Sequence, residues 1–229
     1  MKKKALKAAF PHTIPVLMGY LFLGMAFGIL VSSSGYHYIW AIIMSIFIYA
    51  GSMQFVAVGL ITSEFNIIGT ILITLMVNAR HLFYGLSMLT RFPKMGKLKQ
   101  YMIFSLTDET FSLLCSAKAS DDVDDNWFYL FISLLDHFYW VLGSAIGGIL
   151  GSLFTFDTTG IDFVMTSLFV VIFINQWKST TNHKPALIGV FTSIICLILF
   201  GADNFIIPSM IGILLVLTYA NKPVRERTS

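Results

Sequence analysis

Charge is scarce in this sequence. Only 12% of its 229 residues are Asp, Glu, Lys or Arg, about half the share of a soluble domain. Hydrophobic residues make up 56%, and the mean hydropathy is +0.79. That balance excludes a water-soluble globular chain and points to a polytopic membrane protein. Cysteine is nearly absent: Cys115 and Cys196 both sit in apolar runs, which excludes a disulfide framework and a thiolate metal site. No cleavable signal is expected either, because the apolar stretch after "MKKKALKAAF" is too long and has no clear cleavage site. The net charge of +3 lies in short loops and tails. Nothing here calls for nucleic acid, a cofactor or a metal ion.

What is present is apolar length. Blocks run at about 11–31, 37–61, 66–90, 101–117, 127–152, 162–177, 185–200 and 205–220, and a span needs roughly 20 residues. Eight blocks suggest eight crossings, but the charges disagree. Lys and Arg mark cytoplasmic ends, and they fall at Lys2, Lys3, Lys4 and Lys7, at Arg91, Lys94, Lys97 and Lys99, at Lys178 and Lys184, and at Lys222, Arg225 and Arg227. The acidic loop "SDDVDDN" (Ser120–Asn126) is the candidate for the outside. Three full crossings before Arg91 would put that basic loop outside, and two after the acidic loop would put Lys178 and Lys184 outside.

Both conflicts vanish if blocks 37–61 and 162–177 are broken and return to the side they entered. Irregular backbone at that depth must be buried in protein or line a cavity. "YAGSMQF" (Tyr49–Phe55) supplies a break near Gly51 and Ser52, with Gln54 able to pair with freed backbone groups. Twelve residues from Ile39 to Ala50 descend about 18 Å as helix, roughly half a membrane. In the second block the break falls at "TTGIDF" (Thr158–Phe163). The expected architecture is all-α: about six crossing helices plus two broken or re-entrant segments, with both termini inside, in one transmembrane domain over 1–229. Blocks 11–31 and 127–152 would cross in opposite senses. Each carries glycines at four-residue spacing, Gly24 and Gly28 in one and Gly143, Gly147 and Gly151 in the other. That predicts inverted-repeat halves at about 1–117 and 127–229, a transporter signature, although such glycines also serve any helix contact.

The intramembrane polar residues are few: Asn78, Arg80 and His81 with Tyr84; Thr107, Asp108 and Glu109 in "LTDETF"; Asp136 and His137 in "LLDHFYW"; and Asp162. One arginine faces four carboxylates, so some must pair, some must be neutral and some must line water. A salt bridge from Arg80 to Asp108 or Glu109 is one reading. A planar, permanently charged fork for a substrate carboxylate is the other. Histidine changes charge near neutral pH, so His81 and His137 are candidates for a relay or for neutral hydrogen-bonded rings. Tyr49, Tyr84, Tyr139 and Trp140 read as packing or interface residues rather than ligands. Arg80 and His81 would be tolerated if they share a polar cavity with Asp108, Glu109 and Asp136.

"YAGSMQF", "NARHLFYG", "TDETF", "YWVLG" and "GIDF" occur in this order over nearly the whole chain. In this respect the chain resembles the AzlC-type branched-chain amino acid permeases, the large subunits of the azaleucine-resistance exporters. Many members have a second proline where Phe22 stands, which leaves a proline break in the first helix unsupported. The resemblance implies a bacterial inner-membrane exporter of Val, Leu and Ile, with Met a further substrate, and a small AzlD-type membrane subunit as partner. The family's motif positions fall on Gln54, Asn78, Arg80, His81, Asp108, Glu109, Asp136 and Asp162. With Ser52, and with Gly51 and Gly160 at the breaks, these are the candidate substrate or coupling residues. A proton gradient would drive export. An intramembrane aspartyl protease would need a Gly-x-Gly-Asp pattern, and Ile161 precedes Asp162. A channel reading lacks a repeated filter segment or a row of gating charges.

Overall fold

The computed structural model describes residues 2–62, 67–89, 92, 95, 96, 98–154, 163, 166, 167, 170, 173, 174, 177, 178, 180–201 and 205–220. All regular structure among them is helical: α1 (Lys2–Ser33), α2 (Ile39–Phe47), α3 (Gly51–Thr62), α4 (Ile67–Met88), α5 (Leu98–Phe104), α6 (Asp108–Ser116), α7 (Asp125–Leu153), α8 (Lys184–Phe200) and α9 (Ile206–Ala220). Two compact units result, residues 1–165 and 166–229. Gly160 and Asp162, on which the expected break of segment 162–177 rests, lie outside the described residues, as do Arg91, Lys94 and Lys97.

Helices α1 and α7, of 32 and 29 residues, are long and apolar enough to cross a membrane. The 22-residue α4 is apolar and bent by 45° between Leu75 and Arg80, and its two parts reach spanning length only when taken together. Helix α1 runs unbroken through Pro11, Pro15 and Phe22, so no proline break divides it. Helix α7 starts where Asp124 accepts a hydrogen bond from the Trp127 N–H at 3.1 Å, a side-chain cap for an otherwise orphaned donor.

Glycines bring α1 and α7 into backbone contact. A Cβ on Gly28 would lie 2.3 Å from the Gly148 nitrogen, and one on Gly147 would lie 2.0 Å from the Met25 oxygen. The register is informative. Lys4 meets Asp122, Gly24 meets Gly143, Gly28 meets Gly148, and Ile29 meets Gly151. Numbers rise together, so the helices are parallel. The expectation that blocks 11–31 and 127–152 cross in opposite senses is therefore corrected, and with it their pairing as inverted partners. Glycine spacing reports close approach and carries no direction.

The same contacts define two faces. At the N-terminal end of α1 and α7, Lys4 pairs with Asp122 at 3.4 Å and the Lys2 ammonium sits 4.2 Å from the Trp127 ring. Met95 and Leu98 line a pocket there with Asp124 and Trp127, and Phe92 meets Tyr129. The N-terminal lysines, Phe92, Met95, Leu98 and the acidic loop thus share one face, here the N-face. The expectation that the acidic loop lies on the side opposite those lysines is corrected too.

Two hairpins fill the space between the crossing helices. The first descends from the opposite face. Tyr38 lies against Gly148, Ser45 against Ser144, and the Tyr49 ring stacks on His137 at 4.1 Å. After the break at residues 48–50, α3 climbs back. Phe55 meets Phe27, and the Tyr36 hydroxyl donates to the Ile61 carbonyl at 3.0 Å. Segment 37–61 is therefore broken and turns back toward the end from which it started. The break falls just before Gly51, and the left-handed backbone is at Tyr49 (φ 44°). Gly51 is small for another reason: a Cβ there would sit 2.9 Å from the Trp140 ring.

The second hairpin rises from the N-face. Leu98 and Ala117 lie at that face, by Leu130 and Tyr129, while Thr107 reaches Tyr20 and Thr110 reaches Asp136 deep in the unit. Block 101–117, expected to cross, is instead broken at residues 105–107 and returns. Thr107 caps α6 by accepting from the Thr110 N–H at 3.2 Å. Asp108 and Glu109 occupy the first turn, where negative charge is favoured. Helix plus hairpin thus occurs twice in opposite senses, as α1 with α2–α3 and as α4 with α5–α6.

In the second unit α8 and α9 pack antiparallel, with Thr192 against Gly212 and Gly189 near Ile213. Pro185 sits in the first turn of α8, and Gly201 (φ 75°) ends it.

Candidate functional site

The hairpin tips meet in the middle of the first unit, and Arg80 of α4 joins them. Its Nη1 lies 2.8 Å from the Asp108 carboxylate at the second tip, and its Nη2 donates to Ser52 Oγ at the first tip at 2.6 Å. Tyr84, one turn along α4, donates to the same Asp108 at 2.5 Å. Its ring stacks on Phe111 at 4.4 Å and meets His81 edge-on at 5.8 Å. Arg80 retains 28% side-chain exposure and Asp108 15%, so the pair is not sealed from a ligand. Asn78 lies two residues before Arg80, and its buried Oδ1 has no hydrogen-bond partner among the described residues.

Glu109 belongs to a different set. Tyr20 of α1 donates to its Oε2 at 2.9 Å and also bonds Thr107 Oγ1. Thr107 contacts Thr110 Oγ1 at 3.1 Å, and Thr110 reaches Asp136 Oδ2 at 2.8 Å. Asp136 is fully buried. Its other oxygen has no hydrogen-bond partner among the described residues.

A third set fixes the first hairpin. Ser45 lies at the break, where its carbonyl has lost the next turn of helix. His137 Nε2 donates to it at 3.1 Å, and His137 Nδ1 bonds the Tyr101 hydroxyl at 3.0 Å. His137 therefore ties α2 of one hairpin to α5 of the other. Fully buried Gln54 accepts from Trp140 Nε1 at 2.9 Å and donates to Ser45 Oγ at 3.1 Å. Ser45 Oγ in turn donates to Ser144 at 2.7 Å. Gln54 holds the return of the hairpin, with both ends of its amide occupied.

The polar residues expected near one another thus form connected but distinct sets. Arg80, Asp108 and Ser52 are in direct contact. Glu109 and Asp136 are linked through hydroxyls, and Gln54 lies behind the tips. Tyr84 and Trp140, which read from sequence as packing residues, carry hydrogen bonds here. Sequence reasoning counts Thr107 among the intramembrane polar residues without giving it a role, and misses Tyr20, Ser45, Thr110 and Tyr101. Isolated hydroxyls in apolar helices carry no sequence signal until the fold sets them beside a carboxylate.

The model of the protein family described as "AzlC protein" matches residues 15–154, the stretch that holds every contact above. The chain is 52% identical, over 97% of its own length and 87% of the other's, to a Bacillus subtilis protein named "Branched-chain amino acid transport protein AzlC". It is 45% identical to an uncharacterized membrane protein of Helicobacter pylori, over 96% of each chain. With the Escherichia coli inner membrane protein YgaZ it shares 27% identity over 61% of this chain and 58% of the other. No solved structure matches.

Proposed function

Because the chain belongs to the AzlC family, we propose that it is a secondary transporter, not an enzyme. In this reading it exports Val, Leu and Ile, and the similarly sized Met, across the bacterial inner membrane at the expense of the proton gradient. The observation that supports this reading is Arg80 standing between two hairpin tips. A zwitterionic substrate needs a cation or a helix N-terminus for its carboxylate and oxygens for its ammonium. Arg80, the N-terminal ends of α3 and α6, Asp108, Glu109 and Ser52 supply both where the two hairpin tips meet. When the substrate carboxylate takes the guanidinium fork, Asp108 is released to receive the ammonium. Asn78, Arg80 and His81 put three polar side chains on one turn of α4, more than one ion pair requires. An apolar pocket discriminates each methylene by only about 1–3 kcal/mol, so Val, Leu, Ile and Met overlap as substrates.

The whole chain acts as one transporter domain in this reading, with six crossings and both termini cytoplasmic. Lys2, Lys3, Lys4, Lys7, Lys99 and Lys118 gather at the N-face, while the described 34–38 connection at the other face holds no Lys or Arg. Basic residues mark the cytoplasm, and acidic ones contribute little to orientation, so the acidic loop is cytoplasmic. A small AzlD-type membrane subunit completes the exporter, and this chain alone folds but exports poorly.

The test is intracellular Leu, Val and Met after a dipeptide load, in cells lacking other exporters, with this chain and its partner supplied singly or together. The two together should lower all three pools. Unchanged pools would refute export, and full export by this chain alone would refute the need for a partner.

A further inference from the structure

Glu109, Tyr20, Thr107, Thr110 and Asp136 form an unbroken series of four hydrogen-bonding contacts that runs from α6 through α1 and back through α6 to α7. Four contacts need four hydrogens. The three hydroxyls supply one each, and ionised carboxylates supply none. If both acids were ionised, Tyr20 would donate to Glu109 and Thr110 to Asp136. The single hydrogen of Thr107 would then have to serve both of its contacts. One proton is missing, and only a carboxyl can carry it.

We propose that Glu109 and Asp136 share a single proton, which moves between them along the three hydroxyls. With the proton on Glu109, that carboxyl donates to Tyr20, Tyr20 to Thr107, Thr107 to Thr110, and Thr110 to ionised Asp136. With the proton on Asp136, every bond reverses and Tyr20 donates to ionised Glu109. Passage breaks one O–H bond at Glu109 and forms one at Asp136 Oδ2. Each hydroxyl loses one hydrogen and gains one, and the pair keeps a net charge of −1 throughout. Thr107 uses its full capacity in both states, because its remaining lone pair accepts the Thr110 N–H.

The surroundings agree with a shared proton. Asp108 is held by Arg80 and Tyr84, and no ion pair to Glu109 or Asp136 occurs among the described residues. His137, beside Asp136, is engaged by the Ser45 carbonyl and Tyr101, and Tyr49 covers its ring. His81 meets the Tyr84 ring edge-on. Asp136 Oδ1, buried and without a hydrogen-bond partner among the described residues, is where a proton arriving on Oδ2 can leave the series after the carboxyl rotates, as Glu109 takes up another and keeps the pair at −1. The series therefore joins the acid beside the Arg80 site to an acid deep on α7. This gives the proton coupling of the proposed function a route, and it rests on that reading only for its link to transport.

Two measurements test it. The first needs no substrate. In nanodiscs, the infrared spectrum of the wild type minus that of the Glu109→Gln, Asp136→Asn double variant should show the loss of one protonated carboxyl and one carboxylate. The double variant should fold, since one amide can donate at its end of the series while the other accepts. Loss of two carboxylates, or of two protonated acids, would overturn the proposal. The second uses liposomes holding this chain and its partner. Thr110→Val should lower pH-gradient-driven leucine efflux at least tenfold while sparing leucine counterflow, which moves no net proton, and Thr110→Ser should restore efflux. Efflux equal to wild type in Thr110→Val, or equal loss of efflux and counterflow, would overturn it. Absence of leucine counterflow in the wild type would instead refute the transport reading and leave the infrared result standing.

Discussion

Arg80 shows how much rests on a partner's identity. In the sequence, Asp108 and Glu109 are equivalent neighbours for it. In the structure Asp108 takes the guanidinium and Glu109 turns to Tyr20, because consecutive residues on a helix point about 100° apart. Breaking one side of a buried ion pair costs about 3–5 kcal/mol, much of it the unpaired charge left behind. Arg80→Gln should therefore lower the melting temperature in detergent, and adding Asp108→Asn should recover most of the loss. Adding Glu109→Gln should recover little, since that carboxyl is not the partner. The recovered Arg80→Gln, Asp108→Asn protein should reach the membrane fraction yet fail to export leucine. Wild-type leucine efflux from it would reduce Arg80 to a structural residue.

At the scale of elements, the helix seam and the hairpins depend on different residues. The α1–α7 seam leaves no volume for a methyl group at Gly147 or Gly28, where the obstacle is backbone. Overpacking typically costs about 1–3 kcal/mol, and about that loss or more is expected for Gly147→Ala in a thermal or denaturant unfolding series. Gly19, also on α1, has open space around it, with nothing within 4 Å of where a Cβ would stand, so Gly19→Ala should be close to neutral. Equal destabilisation by the two substitutions would remove the seam from the account of stability. The first hairpin instead depends on a polar clamp. Gln54→Leu would strand the Trp140 N–H, and a buried unpaired donor costs about 1–3 kcal/mol. That variant should destabilise by about this amount, and Trp140→Phe, which removes the stranded donor, should recover part of it in a double-mutant cycle.

At the scale of the molecule the decisive feature is sidedness. Lys4 against Asp122, and Met95 and Leu98 beside Asp124, put the start of α1, the start of α5 and the acidic loop on one face. Ser34, directly after the end of α1, lies at the other. After replacement of Cys115 and Cys196, single cysteines at Lys3, Lys99 and Ser120 should react with an impermeant thiol reagent from the same side of the membrane. A cysteine at Ser34 should react only from the opposite side. Labelling of Ser120→Cys together with Ser34→Cys from one side would refute the parallel arrangement of α1 and α7.

Composition and apolar length by themselves determined the class of this protein, because hydrocarbon admits few charges and demands long apolar helices. They also determined that block 37–61 turns back, since basic residues resist crossing and Tyr49–Phe55 offers a break. The candidate stretch around Arg80 stood out for the same reason: a charge at that depth has a cost that only a partner or a ligand offsets. Tertiary structure decided what composition cannot encode. The glycines of α1 and α7 announce contact but not direction, so parallel and opposed packing look alike until Lys4 meets Asp122 and Gly28 meets Gly148. The second hairpin hides inside block 101–117, where Thr107 breaks the helix without glycine or proline by capping the next one. The link from Glu109 to Asp136 needs three hydroxyls from two helices, Tyr20 on α1 and Thr107 and Thr110 at the start of α6. Hydrogen bonds reach only about 3 Å, so which hydroxyl serves which carboxylate is settled by folding and by nothing earlier.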